Sequence, residues 1–235
     1  MHANFLWFLL ALIIFWSVLL TVIFRLEKRM VFPYGALERE PYFGDPTGYG
    51  TRGVDDAVRA GFVLLGWARD IKGPVYKASY AMLVSKDRDI FAVIGVGNIL
   101  KMPLQATWLH TPTADGRSFY STDHQNGVQI DLSRNWTNQL VPRVTFAGLL
   151  ERHREWLKEL SIMPRFFTPG REYGEFRHLR DAHFRSMERA GLIFFTDGSG
   201  AHFHYTFLGA AKTAIWSYFL GMSRQLSFGR FPRNA

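Results

Sequence analysis

The sequence predicts an α+β protein in which an N-terminal transmembrane helix is followed by one soluble domain. Three observations predict this class: an uncharged apolar run at 4–24, short strand-like segments within 61–132, and amphipathic helical patterns within 142–222. We expect a transmembrane anchor at 1–24, a juxtamembrane linker at 25–53, and a soluble domain at 54–235 that ends in a basic tail at 223–235.

Composition restricts the possible chemistry. The chain has 235 residues, of which 48% are hydrophobic, so it is long enough and apolar enough to bury a core. Its formal net charge is +8, and no acidic residue follows Asp197, so the C-terminal part favours anionic surfaces such as lipid headgroups or nucleic acid. The chain has no cysteine, which excludes disulfides, thiol nucleophiles and cysteine-ligated metal sites.

The run NFLWFLLALIIFWSVLLTVIF at 4–24 predicts a transmembrane helix. It carries no charge, and about 20 helical residues at ~1.5 Å each cover the ~30 Å hydrocarbon core of a bilayer. The charged sequence RLEKR follows at 25–29 in place of a small-residue cleavage site, which indicates an uncleaved signal anchor. The lipid bilayer is therefore the first predicted partner.

Positive charge sets the predicted orientation. Arg25, Lys28 and Arg29 directly follow the apolar run, and no Lys or Arg precedes it, so the domain is expected in the cytoplasm of a single-pass cell-membrane protein. The C-terminal tail is expected to contact anionic lipid. Its candidate membrane-surface residues are Trp216, Arg224, Arg230 and Arg233.

The first half of the domain predicts an antiparallel sheet. After the linker, which is rich in Pro and Gly, a short helix is expected at 54–61 with Asp55 and Asp56 in its first turn. Within 61–132, about five or six short β-branched or aromatic segments alternate with turn sequences. The last of these predicted strands is GVQIDLS at 127–133.

The second half predicts helices. Apolar residues recur at helical spacing in VTFAGLLERHREWLKEL at 144–160 and in YGEFRHLRDAHFRSMERAG at 173–191. His153 and His183 lie on these apolar stripes, which predicts that they are core or boundary histidines. A third helical stretch at 208–222 either closes the core or lies in the lipid headgroup region.

Between the last two helices, FFTDGSGAHFHYTFLG at 194–209 predicts a β-hairpin around an Asp-Gly-Ser-Gly turn. The order helix, strand, turn, strand, helix, with Gly191-Leu192 leading in and Tyr205-Thr206 to Gly209 leading out, resembles the C-terminal half of a winged-helix domain. The resemblance implies a winged-helix-like hairpin and, as one alternative, a nucleic-acid binder. The arginines of the preceding helix do not share one face, so nucleic acid is the least favoured partner.

Histidine and aspartate residues near predicted turns are the catalytic candidates. His110, Asp123 and His124 lie close to two adjacent turns, and these residue types can perform acid–base catalysis or hold a metal ion. Turns also recruit Asp for local hydrogen bonds, which is the competing structural interpretation.

Two further histidines are the candidate metal ligands. His202 and His204 are two residues apart on a predicted strand, so their side chains point to the same face. A metal site needs a third ligand, which the spacing alone does not supply. The alternative is that both histidines only flank the hairpin.

No cofactor is predicted. GVGNIL at 95–100 has Leu100 where a dinucleotide-binding loop needs its third glycine. GSG at 198–200 lacks the intervening residues of a nucleophile elbow, and no Gly-Lys-Ser/Thr phosphate loop occurs.

Together these patterns favour a membrane-anchored, non-enzymatic interaction or accessory module whose protein partner the sequence does not name. The alternative is a membrane-tethered hydrolase or metal-dependent enzyme that uses the Asp and His residues at turns. The second alternative is a membrane-tethered, winged-helix-like nucleic-acid binder.

Overall fold

The computed structural model of the chain describes residues 2–26, 28–30, 35–41, 49–72, 76–99, 102–123, 136–142, 144–198 and 200–214. Its helices are α1 (His2–Leu26), α2 (Tyr49–Arg59), α3 (Phe146–Glu159), α4 (Glu172–Arg189) and α5 (207–214). Its strands are β1 (Arg29–Met30), β2 (Phe62–Lys72), β3 (Tyr76–Ser85), β4 (Phe91–Ile99), β5 (Met102–Pro112), β6 (Ser118–Thr122), β7 (Trp136–Leu140), β8 (Ile193–Phe195) and β9 (His202–Tyr205). The predicted α+β class is confirmed.

The chain divides into two compact units. The terminal unit comprises Met1–Val31 and Phe184–Ala235, and the central unit comprises Phe32–His183. Helix α4 contributes residues to both, with the division after His183.

The central unit contains a mixed six-stranded sheet in the order β2-β3-β4-β5-β6-β7. The first four pairs are antiparallel, as predicted, but β6 and β7 pair in parallel, with Ser118 opposite Trp136. A parallel pair requires a long return connection, and the chain between Thr122 and Trp136 supplies one. The purely antiparallel prediction was therefore wrong at this edge. The strand predicted at 127–133 lies outside the described residues.

Alternation along the strands gives this sheet two buried faces. One face packs against α2 and α3, and its core includes Leu83, Ile94, Leu109, Phe146 and Leu149. The opposite face has a second core, which includes Tyr80, Met82, Phe91, Phe167 and Phe176. Each fully buried large apolar side chain stabilises the fold by roughly 1.5–3 kcal/mol. Two covered faces explain why successive residues of β3 and β4 are almost all buried.

Strand β2 bends at a bulge where Gly66 is essential. Its φ angle is +147°, and the register shifts between Leu64 and Gly66. The N–H groups of Glu38 and Trp67 donate to each other's carbonyl oxygens at 2.7 and 2.8 Å. A Cβ at Gly66 would lie 2.9 Å from the Glu38 carbonyl oxygen. Part of the predicted linker is thus paired with the sheet.

Two helices differ at their ends from the sequence prediction. Helix α2 begins at Tyr49, five residues before the predicted start, so Asp55 and Asp56 lie within it rather than in its first turn. Its Val54 and Ala57 pack in the core. Helix α3 begins at Phe146 and is capped by Thr145, whose Oγ1 accepts a hydrogen bond from Gly148 N at 3.2 Å. These local interactions place His153 on the buried side of α3.

The terminal unit contains a three-stranded sheet in the order β1-β9-β8. The predicted hairpin is present: β8 and β9 are antiparallel, with Phe194 opposite His204. Thr206 then caps α5, since its Oγ1 accepts a hydrogen bond from Gly209 N at 3.1 Å.

Helix α1 covers the whole of the apolar run at 4–24. Among the helices that the structure describes, none is long and apolar enough to cross a membrane. The transmembrane helix at 4–24 is thus not supported here and stays a prediction from the sequence.

Candidate functional site

The predicted catalytic residues and their neighbour Asp115 have separate local surroundings. Asp115 lies in the turn between β5 and β6, where its carboxylate accepts hydrogen bonds from the Thr113 hydroxyl and from Arg117 Nε. The hydrogen bond from Thr113 is the main cause that lowers the pKa of Asp115. Asp123 Oδ1 accepts a hydrogen bond from Thr107 N at 2.7 Å. The Asp115 carboxylate therefore stabilises the β5–β6 turn, and the Asp123 carboxylate bonds the end of β6 to β5. His124 lies outside the described residues.

His110 is buried on β5 among aromatic rings. Its ring stacks on Tyr120 with centroids 5.2 Å apart, and it meets Trp136 and Phe176 edge-on at 5.2 and 5.1 Å. Within the described part of the chain, its Nδ1 atom has no hydrogen-bond partner. Burial, reinforced by the charge of Arg180, holds the pKa of His110 well below 6.5, so the imidazole is neutral at physiological pH.

The same face of the sheet also buries a cation. The guanidinium carbon of Arg180 lies 4.8 Å from the ring centroid of Trp136, a cation–π contact. Burial lowers the pKa of Arg180 to about 10, so it stays protonated at neutral pH. His183 lies with its ring centroid 4.6 Å from that of Trp136, and burial lowers its pKa to about 3. This grouping of His110, Trp136, Arg180 and His183 was not predicted, because no sequence spacing indicates it.

The opposite face holds a buried serine–histidine network. His153 Nδ1 lies 2.6 Å from Ser121 Oγ, and its Nε2 lies 2.9 Å from Thr111 Oγ1. Gln139 Nε2 donates to Ser121 Oγ at 2.7 Å. Burial lowers the pKa of His153 to about 3, so the ring is neutral. A neutral imidazole has one N–H, so one neighbouring hydroxyl donates to the ring and the other accepts from it.

The Ser121–His153 distance matches that of an activated serine nucleophile, but solvent and substrate do not reach the pair. A histidine beside a serine hydroxyl is the arrangement that activates a nucleophile in acyl transfer. Here Ser121 and His153 are each 0% exposed. In this structure the contact therefore joins α3 to β5, β6 and β7. His153 and His183 are both buried, as their positions on apolar helix stripes predicted.

The predicted metal ligands have different partners. His202 Nδ1 lies 2.9 Å from Asp197 Oδ2, and Asp197 Oδ1 accepts a hydrogen bond from Ala201 N at 3.2 Å. The His204 ring stacks on Phe194 with centroids 5.7 Å apart. In the described ranges, no group of three His, Asp or Glu side chains is arranged to hold a metal ion. Asp197 and His202 thus close the hairpin turn.

A basic and aromatic surface lies where α1 ends. The Phe24 and Tyr205 rings have centroids 6.5 Å apart, and the Arg25 guanidinium carbon lies 5.1 Å from the Phe194 centroid. Lys28 is exposed, and the Arg29 backbone pairs with Phe203. The other membrane-surface candidates, Trp216, Arg224, Arg230 and Arg233, lie outside the described residues.

We define the α1-end surface as Arg25, Lys28, Phe194, Phe207, Leu208 and Lys212. Phe207 is 72% and Leu208 is 51% exposed, and both lie in the first turn of α5. Large apolar side chains with such exposure and nearby cations are typical of an interaction surface.

Comparison with protein-family models, with curated proteins and with solved structures finds no match to this chain. Its function is therefore argued from its own residues and contacts.

Proposed function

We propose that this chain is a membrane-anchored, non-enzymatic interaction or accessory module, with α1 in the bilayer and the remainder of the chain in the cytoplasm. The observation that carries the proposal is the row of exposed large apolar side chains along α1. These side chains are Trp7, Leu12, Ile14, Phe15, Trp16, Val18, Val22, Ile23 and Leu26.

Such a helix favours a lipid environment. Fully burying an exposed large apolar side chain is worth roughly 1.5–3 kcal/mol, so nine side chains that are each at least 41% exposed together favour insertion. The sequence at 4–24 contains no charged residue that opposes insertion. The crossing of the bilayer and the cytoplasmic orientation rest on this run and on the following Arg25, Lys28 and Arg29.

The burial of three histidines supports the proposal of a non-enzymatic role. His110, His153 and His183 are all buried, and His153 is bonded at both ring nitrogens. A general base must reach its substrate within hydrogen-bond distance, which buried rings do not do without rearrangement. These three histidines of the central unit thus fit a stabilising role.

An interaction role is supported by one apolar segment of the central unit. Leu160, Met163 and Phe166 are all exposed in the connection between α3 and α4. Three large apolar side chains within one short exposed segment are typical of a protein-contact site.

The two alternatives remain further proposals. The Ser121–His153 distance favours the hydrolase most among the described residues, and alanine at Ser121 that abolishes a cellular phenotype without unfolding would support it. The order α4, β8, β9, α5 is the one that resembles a winged helix. DNA affinity that falls steeply with salt would support the nucleic-acid binder.

Membrane fractionation with matched aspartate variants tests the anchor. Ile14→Asp combined with Val18→Asp places two carboxylates in α1, and each opposes insertion by roughly 2.5–3.5 kcal/mol. We expect this variant to leave the membrane fraction in alkaline carbonate. The control is Val58→Asp with Val63→Asp, which alters valines of similar exposure in α2 and β2. Equal membrane retention of both variants would contradict the proposal.

A further inference from the structure

We propose that the α1-end surface lies on the bilayer, with Phe207 and Leu208 inserted at headgroup depth and Arg25, Lys28 and Lys212 against anionic lipid phosphates. This inference deepens the proposed function and rests on the anchoring role of α1. It assigns a membrane-contact site to the hairpin and α5, in addition to the proposed anchor α1.

The position of Phe207 follows from contacts within the terminal unit. Tyr205 lies against Phe24, two residues before α1 ends at Leu26. Phe207 follows Tyr205 by two residues, so their Cα atoms are at most about 7 Å apart. The first turn of α5 is therefore held beside the point where the apolar helix ends. If α1 crosses the bilayer, that point is the membrane surface.

Strand pairing sets the direction of the hairpin. Arg29 pairs with Phe203 and Met30 with His202, so β1 runs from α1 towards the hairpin turn. Tyr205 lies three residue steps from His202 in β9, which is about 10 Å along the strand. The turn at Asp197 thus lies at the end of the hairpin away from α1. Helix α5 begins at the opposite end, beside the last residues of α1.

The charges of this unit suit an anionic surface. Lys28 and Lys212 are exposed, and Arg25 lies over the Phe194 ring. The acidic residues among its described positions each have a local partner: Glu188 lies 3.0 Å from Arg185, and Asp197 Oδ2 lies 2.9 Å from His202 Nδ1. Aromatic rings beside Lys and Arg are the side-chain combination enriched at membrane interfaces.

A bilayer is a better occupant than a protein partner because of continuity with α1. The exposed apolar residues of α1 reach Leu26, the last residue of that helix, and the aromatic contact at Phe24 leads directly to the hairpin. A bilayer that covers α1 as far as Leu26 therefore also reaches Phe207. Each lysine near an anionic surface is expected to change the affinity about fivefold.

The absence of native cysteine makes a depth measurement direct. The full-length chain would carry one nitroxide label at Ile14→Cys, Leu208→Cys or Thr196→Cys, and be reconstituted in vesicles of phosphatidylcholine with phosphatidylglycerol. Ile14 reports on the anchor, Leu208 on the proposed surface, and exposed Thr196 on the far end of the hairpin. Label depth is measured from the relative accessibility to oxygen and to a water-soluble nickel chelate.

We expect a deep label at 14, a headgroup-depth label at 208 and an aqueous label at 196. A deep label at 14 with aqueous labels at both other positions would overturn the inference and leave the anchor intact. An aqueous label at 14 would overturn the anchor, and the inference with it. A label at 208 that is shielded from both reagents would indicate a protein cover, which also overturns the lipid assignment.

The charge contribution has its own control. The double variant Lys28→Gln with Lys212→Gln should lower the depth or occupancy of the label at 208 in anionic vesicles, with little change in pure phosphatidylcholine. Lys158→Gln with Lys86→Gln removes two exposed lysines of the central unit and should have no effect. Equal effects of the two double variants would contradict the assignment of these lysines to lipid phosphate.

Discussion

His153 Nδ1 on α3 lies 2.6 Å from Ser121 Oγ on β6, and both side chains are fully buried. The contact joins a helix to the sheet at the edge where β6 and β7 pair in parallel. Since Gln139 of β7 also donates to Ser121, one hydroxyl links three elements of the central unit. The stability of that edge therefore depends on a few polar atoms.

Ser121→Ala should destabilise the full-length chain by about 1–3 kcal/mol, because it leaves the buried His153 Nδ1 without this partner and removes the hydrogen bond that Gln139 Nε2 donates. Urea unfolding in detergent measures the change. Thr137→Ala, at an exposed position of β7, is the control and should change stability by about 0.5 kcal/mol or less. Equal effects of the two variants would show that the hydroxyl contributes nothing specific.

The buried histidines should make the central unit acid-sensitive. Burial lowers the pKa of His153 and of His183 to about 3, against about 6.5 when unfolded. The unfolded chain thus binds protons first, and stability is lost as the pH falls from about 6.5 towards 3. At pH 5 each of these two histidines should lower the free energy of unfolding by about 2 kcal/mol relative to pH 8.

Thermal unfolding at pH 8 and pH 5 measures this loss. His183→Gln should reduce the difference between the two pH values, although it lowers stability at both. His178→Gln, which replaces an exposed histidine of the same helix, is the control. A wild-type stability that does not change between pH 8 and pH 5 would rule out neutral buried histidines.

Gly66→Ala should destabilise the central unit by about 1–3 kcal/mol. The φ angle of +147° is strained for any residue with a Cβ, and that atom would lie 2.9 Å from the Glu38 carbonyl oxygen. Gly174→Ala is the matched control, because its Cβ would meet nothing within 4 Å and α4 should gain about 0.5–1 kcal/mol. Denaturant midpoints that shift in the same direction for both variants would contradict the bulge geometry.

Gly209→Ala should disrupt the packing of α5 on the hairpin. A Cβ at Gly209 would lie 1.9 Å from the Leu192 carbonyl oxygen, which accepts the hydrogen bond of Thr206 N. We expect a loss of about 2 kcal/mol or more, seen as faster amide exchange in β8 and β9. Gly198→Ala, in the hairpin turn with nothing within 4 Å, is the control. Unchanged exchange in Gly209→Ala would refute this close contact.

Local patterns predicted the elements of this fold better than their partners. Helical spacing predicted α3 and α4, and the Gly-rich turn predicted the β8–β9 hairpin, because each is specified by neighbouring residues. The parallel pairing of β6 with β7 depends on a distant connection, which no local pattern encodes. Helix α2 begins five residues earlier than predicted, in the Gly-containing stretch YGTRG, where no local pattern indicates a helix.

Contacts between residues distant in sequence were also missed at the candidate sites. The sequence indicated that His153 and His183 were buried, but Ser121 lies 32 residues from His153 and carries no spacing signal. Register alone places Thr111 and Ser121 on the α3 face of the sheet. His110 was a catalytic candidate because it precedes a turn, but β5 extends beyond it and buries the ring.

Cysteine labelling in intact cells tests the membrane anchorage most directly. Single variants His2→Cys, Glu40→Cys and Asn234→Cys of the full-length chain would be treated with a membrane-impermeant maleimide before and after permeabilisation. The account predicts labelling in intact cells at position 2 alone, with positions 40 and 234 labelled only after permeabilisation. Labelling of 40 and 234 in intact cells, or of none of the three, would contradict a single span with a cytoplasmic domain.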